Sequence, residues 1–330
     1  MHVVAAPDKF RGTAPAAAVA SAVARSAVAV GWTCDVAPVA DGGEGTLEVL
    51  GGANRCATVT GPLGDLVEAP WRCTGTGAVL EMALASGLEL LGGPEDNDPV
   101  AASTHGTGEL VAAALDAGCR RVVLGVGGSA STDGGLGAVR ALEPLGRLRG
   151  VELVVACDVR TTFVEAAPVF APQKGATPAQ VELLRRRLER LAQVYEQAHG
   201  VDVRALAGSG AAGGLAGGLA AVGARLVPGF DLVAEEIDLA DRLEGADLVV
   251  TGEGFLDDQS FEGKAVGGVA ELAAALGVPV LVVAGEVLPD VAVPAGARIV
   301  SLVERFGRQR AMHDTLVCVE EVVAAHLAAW

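Results

Sequence analysis

Aromatic residues are scarce in this chain, with seven Phe, three Trp and one Tyr among 330 residues. A core built on rings is thereby excluded. The 45 glycines, with abundant Ala and Val, point instead to close-packed α/β layers joined by tight turns. Basic charge is also short: 24 basic residues face 41 acidic ones, for a net charge of −17. That imbalance argues against nucleic acid or an anionic membrane as a partner. Six cysteines form no CxxC pair and five histidines no cluster. A disulfide framework and a zinc site are thus excluded, and reduced thiols in a cytoplasm are expected. No uncharged apolar run is long enough to span a bilayer, and Asp8 interrupts the short apolar N-terminus, so neither an anchor nor a signal peptide is expected. A chain of this length suggests about two domains. Its oligomeric state is left open.

Lysine is the rarest cation. Only Lys9, Lys174 and Lys264 occur, each beside glycine or proline, in APDKFRG, APQKGA and FEGKAVGG. An ammonium is a compact phosphate binder. Its retention at three turns, in a chain that otherwise uses arginine, points to an anionic ligand.

The stretch Gly125–Gly137, GVGGSASTDGGLG, follows an apolar run and precedes a helical pattern from Leu136 to Leu142. A strand, glycine turn and helix leave backbone N–H groups unpaired and let an anion come close. Gly127, Gly128, Ser129 and Gly134 are therefore candidates for a phosphate cradle, and Asp133 for a Mg²⁺ ligand or proton acceptor. A second glycine turn at 208–218, GSGAAGGLAGG, adds Gly210, Gly213 and Gly214. It formally matches a dinucleotide fingerprint, but the preceding VDVRALA makes a poor central strand. Lys264 lacks the spaced glycine of a Walker A loop.

Strand patterns at His2–Ala6, Cys34–Val39, Val151–Ala156, Ala246–Thr251, Val278–Ala284 and Ile299–Val303 alternate with helical ones, which implies a mostly parallel sheet. Thr13 is expected to cap a helix running to about Val30, and another helix to start at Leu47. Between Arg55 and Met82 short strands joined by Pro-Leu-Gly and Thr-Gly turns read as an antiparallel meander, the mark of a second domain. Thr177, Pro178 and Gln180 form a capping-box pattern before a helix with Val181, Leu184, Leu188, Leu191 and Tyr195 on one face. Its Arg185–Arg187 run lies mostly off that face and reads as solvated surface.

Asp8, Asp41, Glu44, Asp133, Asp158, Glu253 and Asp257 all fall at or just after strand C-ends, the ligand edge of an open parallel sheet. Carboxylates for Mg²⁺, lysines for oxyanions and N–H groups for phosphates are the parts of a phosphoryl-transfer site. His105, before Gly-Thr-Gly, is better read as a polar loop residue.

APDKFRGT, PVADGGEGT, GPLG, STHGTGEL, GVGGSASTDGGLG, ACDV, PQKGAT, GSGAAGG, ADLVVTGEG and GK-x-x-GGVA follow one another in the order and spacing of the bacterial type I glycerate kinases. The chain resembles that family from Val4 to about Ala284. The resemblance implies an α/β fold of two domains, one flavodoxin/Rossmann-like (1–50, 105–165 and 240–330) and one α/β with the meander (51–104 and 166–239). It places the active site in the cleft between them. It further implies ATP and Mg²⁺, with transfer of the γ-phosphoryl group to a hydroxyl of D-glycerate, usually the 2-hydroxyl. Lys9, Arg11, Lys174 and Lys264 are expected to clamp carboxylate and phosphoryl groups. Some of Asp133, Asp158, Glu253 and Asp257 are expected to hold Mg²⁺, and one of Asp8, Asp41 or Asp158 to accept the hydroxyl proton. Four places depart from the pattern: PDKFRG stands for PDSFKG, Phe255 for an arginine, Arg160–Phe163 for a longer loop, and Val266 for a common proline. They leave room for a related hydroxy acid as acceptor, or for a silent sugar-acid-binding paralogue.

Overall fold

The computed structural model describes residues 1–261, 264–289, 291 and 296–330. Glu262 and Gly263 of the FEGK stretch thus lie outside the described residues. Eleven strands occur among them: β1 (His2–Ala5), β2 (Thr33–Val36), β3 (Arg55–Thr60), β4 (Leu66–Thr74), β5 (Gly77–Glu81), β6 (Arg121–Gly125), β7 (Glu152–Cys157), β8 (Arg225–Pro228), β9 (Leu248–Leu256), β10 (Val280–Val287) and β11 (Ala297–Ser301). They form two sheets and the chain divides into two compact units, as the expected two-domain α/β class requires. Among the described residues no helix is long and apolar enough to cross a membrane.

The first unit comprises Met1–Asp41, Glu48–Leu50 and Phe230–Trp330. Its sheet is parallel throughout, in the order β2-β1-β9-β10-β11. Numbered within the unit this is 2-1-3-4-5, the flavodoxin-like order. Because strand side chains alternate, Val3, Ala5, Val250 and Val283 meet one helical layer while Val4, Ala6, Val249 and Val282 meet the other. The helices Ala16–Ala29 and Thr315–Ala328 cover the first face and Ala265–Leu276 the second. Pro15 rather than Thr13 stands at the first helix's N-cap, since the Thr13 hydroxyl donates to the Phe10 carbonyl in the preceding turn. β11 ends at Ser301, which caps the next helix by accepting from the Glu304 N–H, so the expected strand to Val303 stops two residues early.

The second unit holds Gly42–Leu47 and Gly51–Gly229. Its sheet runs β3-β4-β5-β6-β7-β8, with β3, β4 and β5 antiparallel and β5 to β8 parallel. The expected grouping of 105–165 with the chain ends is therefore corrected. β6 and β7 carry that segment, and their backbone hydrogen bonds run to β5 and β8, so 105–165 shares one sheet with the meander in the second unit. The Thr177 capping box forms as expected. Thr177 N–H donates to the Gln180 side chain at 2.8 Å, and Gly200, at φ 74°, closes the helix Pro178–His199. The helix expected from Leu47 is a single turn, Thr46–Val49.

Candidate active site

In the first unit, β1 and β9 lie side by side where the strand order reverses, the position at which flavodoxin-like sheets bind ligands. Asp8 follows β1, and its N–H donates to the Gly252 carbonyl of β9 at 2.9 Å. Thr251 fixes the same crossing by donating its hydroxyl to the Ala6 carbonyl. β9 runs on past this edge with Glu253, and Gly254 leaves room for the backbone of Phe10 and Arg11. Asp41 arrives from the segment after β2. Lys9 Nζ stands 3.8 Å from Asp8 Oδ1 and 3.8 Å from Asp41 Oδ1.

Burial and the neighbouring charges act on two of these carboxyls, Asp8 and Glu253. Burial pushes the Asp8 carboxyl up to about 7; Asp41 and Glu253 add to the rise, and Lys9 opposes it by its charge and its N–H. Burial likewise raises Glu253, against the pull of Ser260 and Lys264, while Asp257 and Asp41 push the same way as burial. Glu253 Oε1 is buried without a hydrogen-bond partner. Asp257 is ordered by Ser260, whose N–H and hydroxyl reach Asp257 Oδ1 at 2.9 and 3.1 Å. Ser260 itself went unread in the sequence. Its spacing three after an aspartate is the capping signal that shows it.

Asp8, Lys9, Asp41, Glu253, Asp257 and Lys264 thus come together electrostatically in one unit. Arg11 is exposed in the same unit, and Asp158 is exposed after β7 in the second.

Lys174 and the glycine turns behave differently from the expectation. Lys174 is only 3% exposed, and its ammonium donates to Ser129 Oγ and to the Ser131 carbonyl, both at 2.6 Å. It struts the glycine turn from beneath. Asp133, expected on Mg²⁺, accepts from the Thr104 N–H and hydroxyl and from the N–H groups of Gly135 and Gly137, at 2.9 to 3.1 Å. With both oxygens so engaged it ties two helix starts together, and metal binding there requires breaking those bonds.

The glycines are explained by packing. A Cβ at Gly213 would strike the Ser131 carbonyl, and one at Gly134, Gly214 or Gly217 would strike the ring of Phe163. Gly134 N–H donates to the Gly213 carbonyl at 3.0 Å and Gly210 N–H to the Thr161 carbonyl at 3.0 Å. The two turns therefore fold onto each other around Phe163, which is wholly buried. Gly127 and Gly128 admit the Gly43–Glu44 segment. His105, expected in a loop, begins a helix of the second unit and pairs with Glu109 at 3.5 Å.

Mg²⁺ is tested by the donors present. Among the described residues no three carboxylates or imidazoles form a protein-only cage. Mg²⁺ needs only one or two carboxylates when phosphates complete its shell, and the unpartnered oxygen of Glu253 beside Asp257 fits that demand.

A model of the glycerate kinase family matches residues 3–145 and 143–329. The chain is 38% identical over 333 residues to the glycerate 2-kinase of Escherichia coli (strain K12), covering 89% of this chain and 87% of that protein. It is 40% identical over 331 residues to the glycerate kinase of Bacillus subtilis (strain 168), covering 88% and 86%. A crystal structure assigned as glycerate kinase 2 from Salmonella typhimurium LT2 superposes with a TM-score of 0.81 at 35% identity, over 100% of this chain and 99% of that one. With the family matched along both halves and relatives this similar over most of its length, the chain belongs to the glycerate kinase family.

Proposed function

We propose that the protein transfers the γ-phosphoryl group of ATP to the 2-hydroxyl of D-glycerate. Membership of the family makes it a phosphotransferase that uses a nucleotide. The observation that carries the assignment of roles is Asp8, a buried carboxylate raised to about 7 beside a lysine and two further acids. A base poised near the working pH can take the hydroxyl proton as the acceptor oxygen attacks. Lys9 and Lys264 would neutralise the glycerate carboxylate and the transferring phosphoryl oxygens. Glu253 and Asp257 would hold Mg²⁺ together with the nucleotide phosphates. When bound, the metal spreads the charge that builds on those oxygens. Little covalent work falls to the protein, because positioning and charge neutralisation dominate this reaction class. The roles of Arg11 and Asp158 rest on the family resemblance.

The test is ADP release coupled to a reporter, with D-glycerate and related hydroxy acids as acceptors. Phosphorus NMR of the product then distinguishes the 2-phosphate from the 3-phosphate. Turnover with glycerate and a 2-phosphate product supports the proposal. Release of ADP only with another hydroxy acid moves the specificity, a reading that Phe255, 47% exposed on β9, would favour. Saturable glycerate binding with no ADP release from any acceptor overturns the kinase in favour of a sensor.

A further inference from the structure

The helix Pro178–His199 has two apolar faces. Leu184, Leu188, Ala192 and Tyr195 are buried in the core of the second unit. Leu183 and Val194, 42% and 40% exposed, lie with Leu191 along a groove whose other wall is formed by Val100–Ser103, Leu136 and Arg140. The groove encloses about 670 Å³. Between residues 183 and 194 the helix climbs about 16 Å, so the space is elongated.

Its rim is cationic in a chain of net charge −17: Arg140, Arg186, Arg187 and Arg190 all line it. Arg186 is paired with Glu182 at 2.7 Å. Arg187 donates to the Val100 carbonyl and Arg190 to the Gln193 side chain, both neutral partners. Arg140, Arg187 and Arg190 form no ion pair with any described residue. Asp133, the one carboxylate lining the groove, is already occupied by its backbone and hydroxyl donors. Thr132 lies in the same lining, 2% exposed, and its Oγ1 has no partner. An apolar floor with unbalanced guanidinium groups at its edge suits a ligand that is apolar along its length and negative at one end. Arg186 and Arg187 are exposed, as the reading of the run as solvated surface expects, and they also edge this groove; Arg185 is half-buried and pairs with Glu182 and Glu189.

We propose that this groove binds an elongated organic anion, an apolar body with a carboxylate or phosphate head. Arg187, Arg190 and Arg140 take the head, and Leu183, Leu191 and Val194 take the body. The site lies within the second unit, and the proposal does not depend on the kinase reading.

Isothermal titration of the full chain tests it, with decanoate and decyl phosphate below their micellar range and 1-decanol as the neutral counterpart. One saturable site per chain is expected for at least one of the two anions, and the stronger of them identifies the head. The double variant Arg187→Glu/Arg190→Glu should weaken binding by about tenfold or more. Arg185→Glu should leave it unchanged. If the double variant does not fold, Arg140→Glu serves in its place, and retained ADP release certifies the fold of each variant. No saturable binding of either anion overturns the proposal, as do equal binding of 1-decanol, undiminished binding by the charge-reversed variants, or displacement by ATP.

Discussion

Lys174 Nζ lies 2.6 Å from Ser129 Oγ across 45 residues of sequence. A second hydrogen bond of the same length reaches the Ser131 carbonyl. Burial lowers this ammonium to about 7, against the pull of Asp133. A neutral amine carries two N–H donors, and the pocket offers two acceptors. The residue is therefore built to hold the turn in shape, with or without its charge.

Stability should accordingly climb between about pH 7 and 10.5, the ordinary value for lysine, because over that range the unfolded lysine binds a proton that the folded one has released. The slope approaches about 1.4 kcal/mol per pH unit at most. Denaturant melts of wild type and Lys174→Met across this range check it: the climb should shrink in the variant. Lys174→Ala, which also leaves a void, should cost about 2–4 kcal/mol.

Asp8 gives the opposite sign. Its carboxyl is raised from 3.8 to about 7 in the folded protein, so ionising it costs stability as pH rises through that window. The cost reaches up to about 4 kcal/mol and is complete above pH 7. Asp8→Asn should therefore melt higher than wild type at pH 8 and nearly level with it at pH 4. Its kcat should fall by about 10²–10⁴. In the wild type, kcat/KM should decline below about pH 7 as the base is protonated.

Glu253→Gln should raise the Mg²⁺ concentration needed for half-maximal rate by about tenfold or more, with little change in the KM for glycerate. A shift confined to the glycerate KM would place Glu253 on the acceptor instead.

Gly213→Ala places a methyl against the Ser131 carbonyl at a backbone φ of 66°. It should destabilise the protein by about 2–4 kcal/mol, read from chemical denaturation. Nucleotide affinity of the folded fraction should change little, since the glycine serves the contact between two turns.

Much of this molecule is local in origin. Alternating apolar residues set the strands, the Thr177–Gln180 box starts its helix, and the Pro-Leu-Gly and Thr-Gly turns shape the meander. Carboxylates after strand ends marked the edge where Asp8, Asp41 and Glu253 gather. These features depend on spacings of a few residues, which a sequence displays directly. Long-range packing decided the rest. A glycine that admits a phosphate and one that admits a neighbouring side chain look alike in sequence, and only the seating of Phe163 shows that its ring packs against Gly134 and Gly214. The same holds for Lys174, whose surroundings come from a distant turn, for β6 and β7, whose partners fix their unit, and for Arg187, whose groove needs two other segments to exist.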